Sequence, residues 1–162
     1  MTDNIKELYQ EMILEHSRCP RNFKKMERPT SCANGHNAIC GDKLTVFLKL
    51  DKDEIIKDIS FKGVGCAICI ASASLMTEAV LDKTLKEAKK IFDHFHSMVT
   101  SDCNFECLNL TEQKLKALSG VKKYPLRVKC ATLAWHTLLL AFKNKPKSSI
   151  DDDQKPDCSC RS

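Results

Sequence analysis

No run of this sequence approaches the roughly 20 consecutive apolar residues that a helix needs to cross a bilayer, so no membrane-spanning role is expected. Met1–Lys6 hold no apolar signal-peptide core and lead directly into an amphipathic pattern, which makes the cytoplasm the expected place of action. Aromatic residues are scarce, at 6%. Lys and Arg are in excess, with a formal charge of +5, but they are scattered and often stand beside Asp or Glu. A nucleic-acid face needs basic residues clustered with aromatics; here the excess reads as a solvated surface, and nucleic acid is not an expected partner. No internal repeat is visible, and 162 residues suffice for one domain with a proper core.

What the sequence does have is cysteine, ten in all. In a reducing compartment such thiols are poor disulfide candidates, and metal binding or sulfur chemistry is the better reading.

Ile5, Leu8, Tyr9, Met12 and Ile13 fall at helical spacing and predict an amphipathic helix over 4–17. The stretch Cys19–Gly35, with Pro20, Asn22, Pro29 and Asn34, predicts an irregular loop. Leu44, Val46, Leu48 and Leu50 alternate with Lys43, Thr45, Phe47 and Lys49, a strand with one apolar outer position. Ile55–Phe61 predicts its hairpin partner, and such a pair needs a third strand or a helix cover, for which Arg28–Ala33 is the candidate. Ala67–Leu81, nearly without charge, predicts a helix buried on most sides. Thr84-Leu85-Lys86-Glu87 predicts a capping box opening a helix to Val99. A loop Ser101–Leu110, a short helix to Leu118 stopped by Gly120, and a final apolar helix Ala131–Phe142 complete the expected domain. The expectation is one α+β domain over 1–143, a small antiparallel β-sheet of about three strands with helices packed on one face. The remainder, 144–162, is polar, carries Asp151-Asp152-Asp153 and is expected to be a disordered tail.

Three cysteines share a context that the others lack. Cys40 is followed by Gly41-Asp42, Cys66 follows Gly63-Val64-Gly65 and opens a helix, and Cys130 is expected to open another, directly after Lys129. A thiol at a helix N-terminus meets the positive end of the dipole, which favours thiolate, and Lys129 would push Cys130 the same way. Gly41 lets the backbone bend so that Cys40 and Asp42 converge on one ion. Three thiolates and a carboxylate suit tetrahedral zinc; the same donors could hold iron or the edge of a nascent cluster, and counting does not choose. An isolated cysteine is more often a small buried side chain or a plain exposed thiol, the reading kept for Cys19, Cys32, Cys103 and Cys107.

The segments Asn37-Ala38-Ile39-Cys40-Gly41-Asp42, Gly65-Cys66-Ala67-Ile68 with Ala71-Ser72-Ala73-Ser74, and Arg127-Val128-Lys129-Cys130-Ala131-Thr132-Leu133-Ala134-Trp135 resemble the IscU/SufU family of iron–sulfur assembly proteins. The likeness runs from about Leu8 to Phe142. Within the family it favours the SufU branch: IscU-type scaffolds carry His where this chain has Lys129, and SufU proteins carry an added segment like Phe95–Gly120. The resemblance implies zinc held by Cys40, Asp42, Cys66 and Cys130, with Cys40 accepting persulfide sulfur from a SufS-type cysteine desulfurase. It implies Arg127 as the residue that orients or neutralises the anionic site, and downstream iron–sulfur assembly proteins as further partners. The competing expectation is a scaffold that binds iron and builds a [2Fe–2S] cluster.

The chain departs from the family pattern at Ala38, at Ile39 and above all at Cys69, where relatives keep Ser or another small residue. With Cys66 it spells C-x-x-C, but the flanking βαβ pattern of a thioredoxin-like redox pair is missing. Cys69 is expected to be a buried small side chain, with a role as alternative ligand left open. Cys158 and Cys160 lie outside the resemblance. His94 and His96 stand two apart on a helix and face different sides; His36, near the Cys40 loop, is the one histidine of interest.

Overall fold

The computed structural model of the chain describes residues 2–101 and 110–144; the Cys103, Cys107, Cys158 and Cys160 readings and the tail fall outside them. In chain order the elements are α1 (Thr2–Arg18), β1 (Ser31–Asn37), β2 (Asp42–Leu50), β3 (Ile56–Val64), α2 (Ala67–Val80), α3 (Leu85–Thr100), α4 (Leu110–Gln113), a 3-10 segment Lys114–Lys123, and α5 (Pro125–Lys143).

The strands form an antiparallel meander, β1-β2-β3. β1 pairs with β2 from Ser31 opposite Leu48 to Asn37 opposite Asp42, leaving 38–41 as the connecting turn. The third strand is therefore real but shifted from Arg28–Ala33 into the expected loop. Its sequence, Ser-Cys-Ala-Asn-Gly-His-Asn, has little strand propensity, and pairing with β2 overrides that. The free edge of β3 is not bare: Asn22 and Lys24 exchange backbone hydrogen bonds with Phe61 at 3.0 Å.

Side-chain alternation in β2 sorts the two faces. Leu44, Val46 and Leu48 enter the main core against the helices. Phe47, the apolar outer position, is fully buried in a second cluster with Met26 and Cys32 on the opposite face. Cys32 is also disulfide-bonded, contrary to the plain buried thiol expected of it. The other five described cysteines are free thiols.

On the helical side, α2 lies between α1 and α5, and its small residues let the neighbours come close. Ser72 donates to the Ala131 carbonyl at 2.5 Å and accepts from Trp135 Nε1 at 3.2 Å. Trp135 is stacked on Phe95 and Phe92, with centroids 5.0 and 5.9 Å away. The capping box of α3 is present, with Glu87 N–H donating to Thr84 and Thr84 N–H to Glu87.

Two expected boundaries are corrected. Gly120 does not stop a helix but lies inside the 3-10 segment. The last helix starts at Pro125, not Ala131, because proline is pre-set for the first helical position, where its missing N–H costs nothing. None of the helices is long and apolar enough to cross a membrane, among the described residues.

Candidate metal centre

Asp42 is the first residue of β2 and shares the parity of Leu44, Val46 and Leu48, so its carboxylate points to the helix-covered face. There it is fully buried. Oδ1 accepts the backbone N–H of Cys66 at 2.9 Å. Oδ2 is buried and has no hydrogen-bond partner. A buried carboxylate oxygen left unpaired is costly, and native structures rarely tolerate one without a ligand to satisfy it.

The group that faces it is made by the turn and α5. Ligand atoms of Cys40, Asp42 and Cys130 all lie within 4.8 Å of one another. Zinc–thiolate bonds of about 2.3 Å in a tetrahedron put sulfurs roughly 3.8 Å apart, so a small contraction would close the group on an ion. Gly41 takes φ +73°, the left-handed conformation that turns Cys40 back over Asp42. Asn37 braces the turn from both ends: Oδ1 accepts the Ile39 N–H at 3.2 Å, and Nδ2 donates to Cys130 Sγ at 3.8 Å.

Cys66 stands at the N-cap of α2, as expected, with extended backbone. It is not one of the mutual group of three. Its thiol interacts with Cys130 and with the side chain of Arg127, in the first turn of α5. That sets Arg127, itself exposed, near Cys66. Its guanidinium is held above its ordinary range first by the charge of Cys66.

Cys130 does not open a helix. α5 begins at Pro125, so Cys130 lies more than a full turn in, beyond the reach of the N-terminal dipole. It is fully buried and donates to the Leu126 carbonyl at 3.5 Å. Burial, reinforced by the neighbouring Asp42, Cys40 and Cys66, pushes its thiol up rather than toward thiolate, and Lys129 is exposed. A metal ion bound there would displace the proton.

Cys69, in the first turn of α2, is fully buried and its thiol is likewise pushed up, by burial and then by Asp42, Cys66 and Cys40. His36 is exposed on β1 and joins no ligand group, and His96 packs edge-on against Phe92. Sequence reading gave no role to Asn37 or Gly65. A Cβ on Gly65 would lie 2.9 Å from Asp42 Oδ1 and 3.0 Å from Cys69 Sγ, so the site closes only because none is there. The Gly-x-Gly before Cys66 was the signal for it.

The family model for the NifU-like N terminal domain matches residues 8–131. The chain is 37% identical over 150 residues to the iron–sulfur cluster assembly scaffold protein IscU of Streptococcus pyogenes serotype M1, covering 93% of this chain and 92% of that one. It is also 37% identical over 135 residues to the zinc-dependent sulfurtransferase SufU of Bacillus subtilis strain 168, covering 83% and 89%. The chain belongs to the IscU/SufU family of iron–sulfur cluster assembly proteins. Among solved structures, the SUF-system scaffold protein FiSufU of Fervidobacterium islandicum AW-1 is similar with a TM-score of 0.73 and 33% identity, over 81% of this chain and 93% of that one. The α+β architecture is thus that of the IscU/SufU family, and its relatives carry scaffold and sulfurtransferase names alike.

Proposed function

We propose that this family member is a zinc-dependent sulfur acceptor, which takes persulfide sulfur from a SufS-type cysteine desulfurase onto Cys40 and passes it to downstream iron–sulfur assembly proteins. The working unit is the single domain over 1–143, acting in the cytoplasm. The observation that carries the reading is the contrast within the donor group: Asp42 and Cys130 are fully buried, whereas Cys40 is only half-buried, on a turn beside exposed Ile39. Within the group of three that meets, the Cys40 thiol is the one that can reach a partner; Cys66, also half-buried, stands outside that group.

Cys40, Asp42, Cys66 and Cys130 are the residues that would hold the zinc, and the orphaned Asp42 Oδ2 fits a cation. Bound there, zinc supplies positive charge that keeps thiolates deprotonated at neutral pH without redox chemistry. The Cys40 thiolate attacks the outer sulfur of the partner's persulfide. A sulfur–sulfur bond forms at Cys40, the bond to the partner's cysteine breaks, and that cysteine leaves as a thiolate. Arg127, free of burial and next to Cys66, sets positive charge at the mouth of the site while anionic sulfur arrives.

The scaffold reading draws support from Cys69, an extra thiol beside the site. The two part in one experiment. Cysteine turnover by a purified SufS-type desulfurase should rise on adding the zinc-loaded protein, and Cys40→Ala should remove the rise. Unchanged turnover, with uptake of iron and sulfide into a coloured cluster, would establish the scaffold instead.

A further inference from the structure

Asn37 is the last residue of β1 and stands directly opposite Asp42, the first residue of β2, at the base of the turn 38–41 that carries Cys40. It shares the parity of Ala33, which enters the main core, so its carboxamide points to the same face as the Asp42 carboxylate. Both ends of that carboxamide are engaged, and they run to different elements. Oδ1 accepts the Ile39 N–H at 3.2 Å, one residue before Cys40. Nδ2 donates to Cys130 Sγ on α5 at 3.8 Å. One side chain thus ties the Cys40 turn to a buried donor 93 positions away in sequence.

The turn needs such an anchor. Ala38, Ile39 and Gly41 are exposed, Gly41 sits at φ +73°, and a Cβ there would meet nothing within 4 Å. The pairing of β1 with β2 ends at Asn37 and Asp42, so no ladder hydrogen bond fixes the chain between them. The place of the Cys40 thiol is then set by what holds the turn, and a misplacement of about 1 Å at a reacting group costs up to about 100-fold in rate.

We propose that Asn37 is a positioning residue for sulfur transfer: by holding the Cys40 turn to Cys130 it presents the Cys40 thiol at one fixed place beside Asp42 and Cys130. Asn37 makes and breaks no covalent bond; it acts through Ile39 and Cys130, as outer partners orient the donors of a metal site. The inference rests on the sulfur-acceptor reading for the reaction it serves, while the link from Asn37 to Cys130 is measurable without any desulfurase.

Two variants separate this role from that of a plain turn cap. Asn37→Ala loses both bonds. Asn37→Ser keeps a hydroxyl that can accept from Ile39, as serine does in such turns, but is too short to reach Cys130. Transfer from a persulfide-loaded SufS-type desulfurase to Cys40 of the zinc-loaded full chain should fall about 10- to 100-fold in both variants at saturating desulfurase. The desulfurase concentration giving half the maximal rate should not change. Cobalt-substituted protein reads the link itself. Without the N–H on sulfur the thiolate electrons rise in energy, and thiolate-to-cobalt absorption should move to longer wavelength in both variants. In the metal-free protein, alkylation of Cys40 should be faster in both than in the unaltered chain. Transfer unchanged in Asn37→Ala overturns the proposal. Transfer lost there but kept in Asn37→Ser reduces Asn37 to a turn cap and overturns it too, as does a loss that only follows the fraction of protein folded. With no sulfur on Cys40 of the unaltered chain the acceptor reading fails, whereas a cobalt absorption unmoved by either variant sinks only this inference.

Discussion

The two oxygens of Asp42 lead different lives: Oδ1 accepts the Cys66 backbone N–H at 2.9 Å, and Oδ2, equally buried, accepts nothing. One oxygen thus ties the start of β2 to the start of α2, and the carboxylate lies within 4.8 Å of the thiols of Cys40 and Cys130. The carboxylate is structural through one atom and available through the other.

Asp42→Asn separates these roles, since an amide oxygen still accepts from Cys66 but brings no negative charge. Zinc affinity is expected to fall about 10- to 100-fold while the melting temperature of the metal-free protein changes little. Asp42→Ala removes the acceptor as well and should cost the metal-free fold about 1–3 kcal/mol, the penalty of a buried N–H left unpaired. Chelator competition and thermal unfolding of the two variants side by side check this.

Gly65→Ala should damage the site more than the fold. The added Cβ meets Asp42 Oδ1 and Cys69 Sγ, two site atoms, at 2.9 and 3.0 Å. Overpacking of this kind costs about 1–3 kcal/mol, and here one of the displaced groups is the Asp42 carboxylate. Gly41→Ala meets nothing within 4 Å but must hold φ +73°, a strain of about 1–2 kcal/mol for a residue with Cβ. Zinc titration of both should show the larger loss for Gly65→Ala.

Arg127→Ala is predicted to leave stability within about 0.5 kcal/mol, as for other surface substitutions, because the side chain is exposed. Its cost should fall on sulfur transfer, through the lost charge beside Cys66, with Arg127→Lys restoring part of it. Desulfurase stimulation measured against thermal stability separates the two.

Acid should destabilise the domain through histidines held below their ordinary value, above all the buried His16. His16 is held below its ordinary value by burial and by Arg21, with Glu78 and Glu15 opposing; its Nδ1 is 2.7 Å from Ser74 Oγ and its Nε2 3.7 Å from Glu78. His136, exposed on α5, is also held down, by partial desolvation against its neighbours and by His96. A depressed pKa means the unfolded chain binds the proton first. The stability is therefore complete above the unfolded-state pKa and lost as pH falls toward the folded one. Melting temperatures between about pH 7.5 and pH 5.5 should fall less in His16→Asn, whose amide can keep the Ser74 contact, than in the unaltered chain.

Much of this was legible because it is local. The Thr84 capping box, the apolar alternation of β2 and the small, uncharged face of α2 each follow from neighbours in sequence, and each element stands where it was expected. What failed was what tertiary pairing decides. β1 has a poor strand sequence and exists because β2 offers it a register. Cys130 was expected at a helix start because the apolar run begins there; Pro125 starts the helix earlier, and burial governs the thiol instead of the dipole. The donors Cys40, Asp42 and Cys130 were named from their motifs, and they do meet. That Cys66 falls outside the group of three, and that Gly65 leaves no room for a Cβ beside Asp42 and Cys69, depends on tertiary packing, which no spacing encodes.

The central claim is that Cys40 receives sulfur, and the most direct measurement is the mass of the Cys40 peptide after one round with a persulfide-loaded SufS-type desulfurase. The account predicts a gain of a single sulfur atom on Cys40 of the zinc-loaded protein, with none on Cys66 or Cys130. Sulfur found on another cysteine, or on none while a cluster assembles, would contradict it.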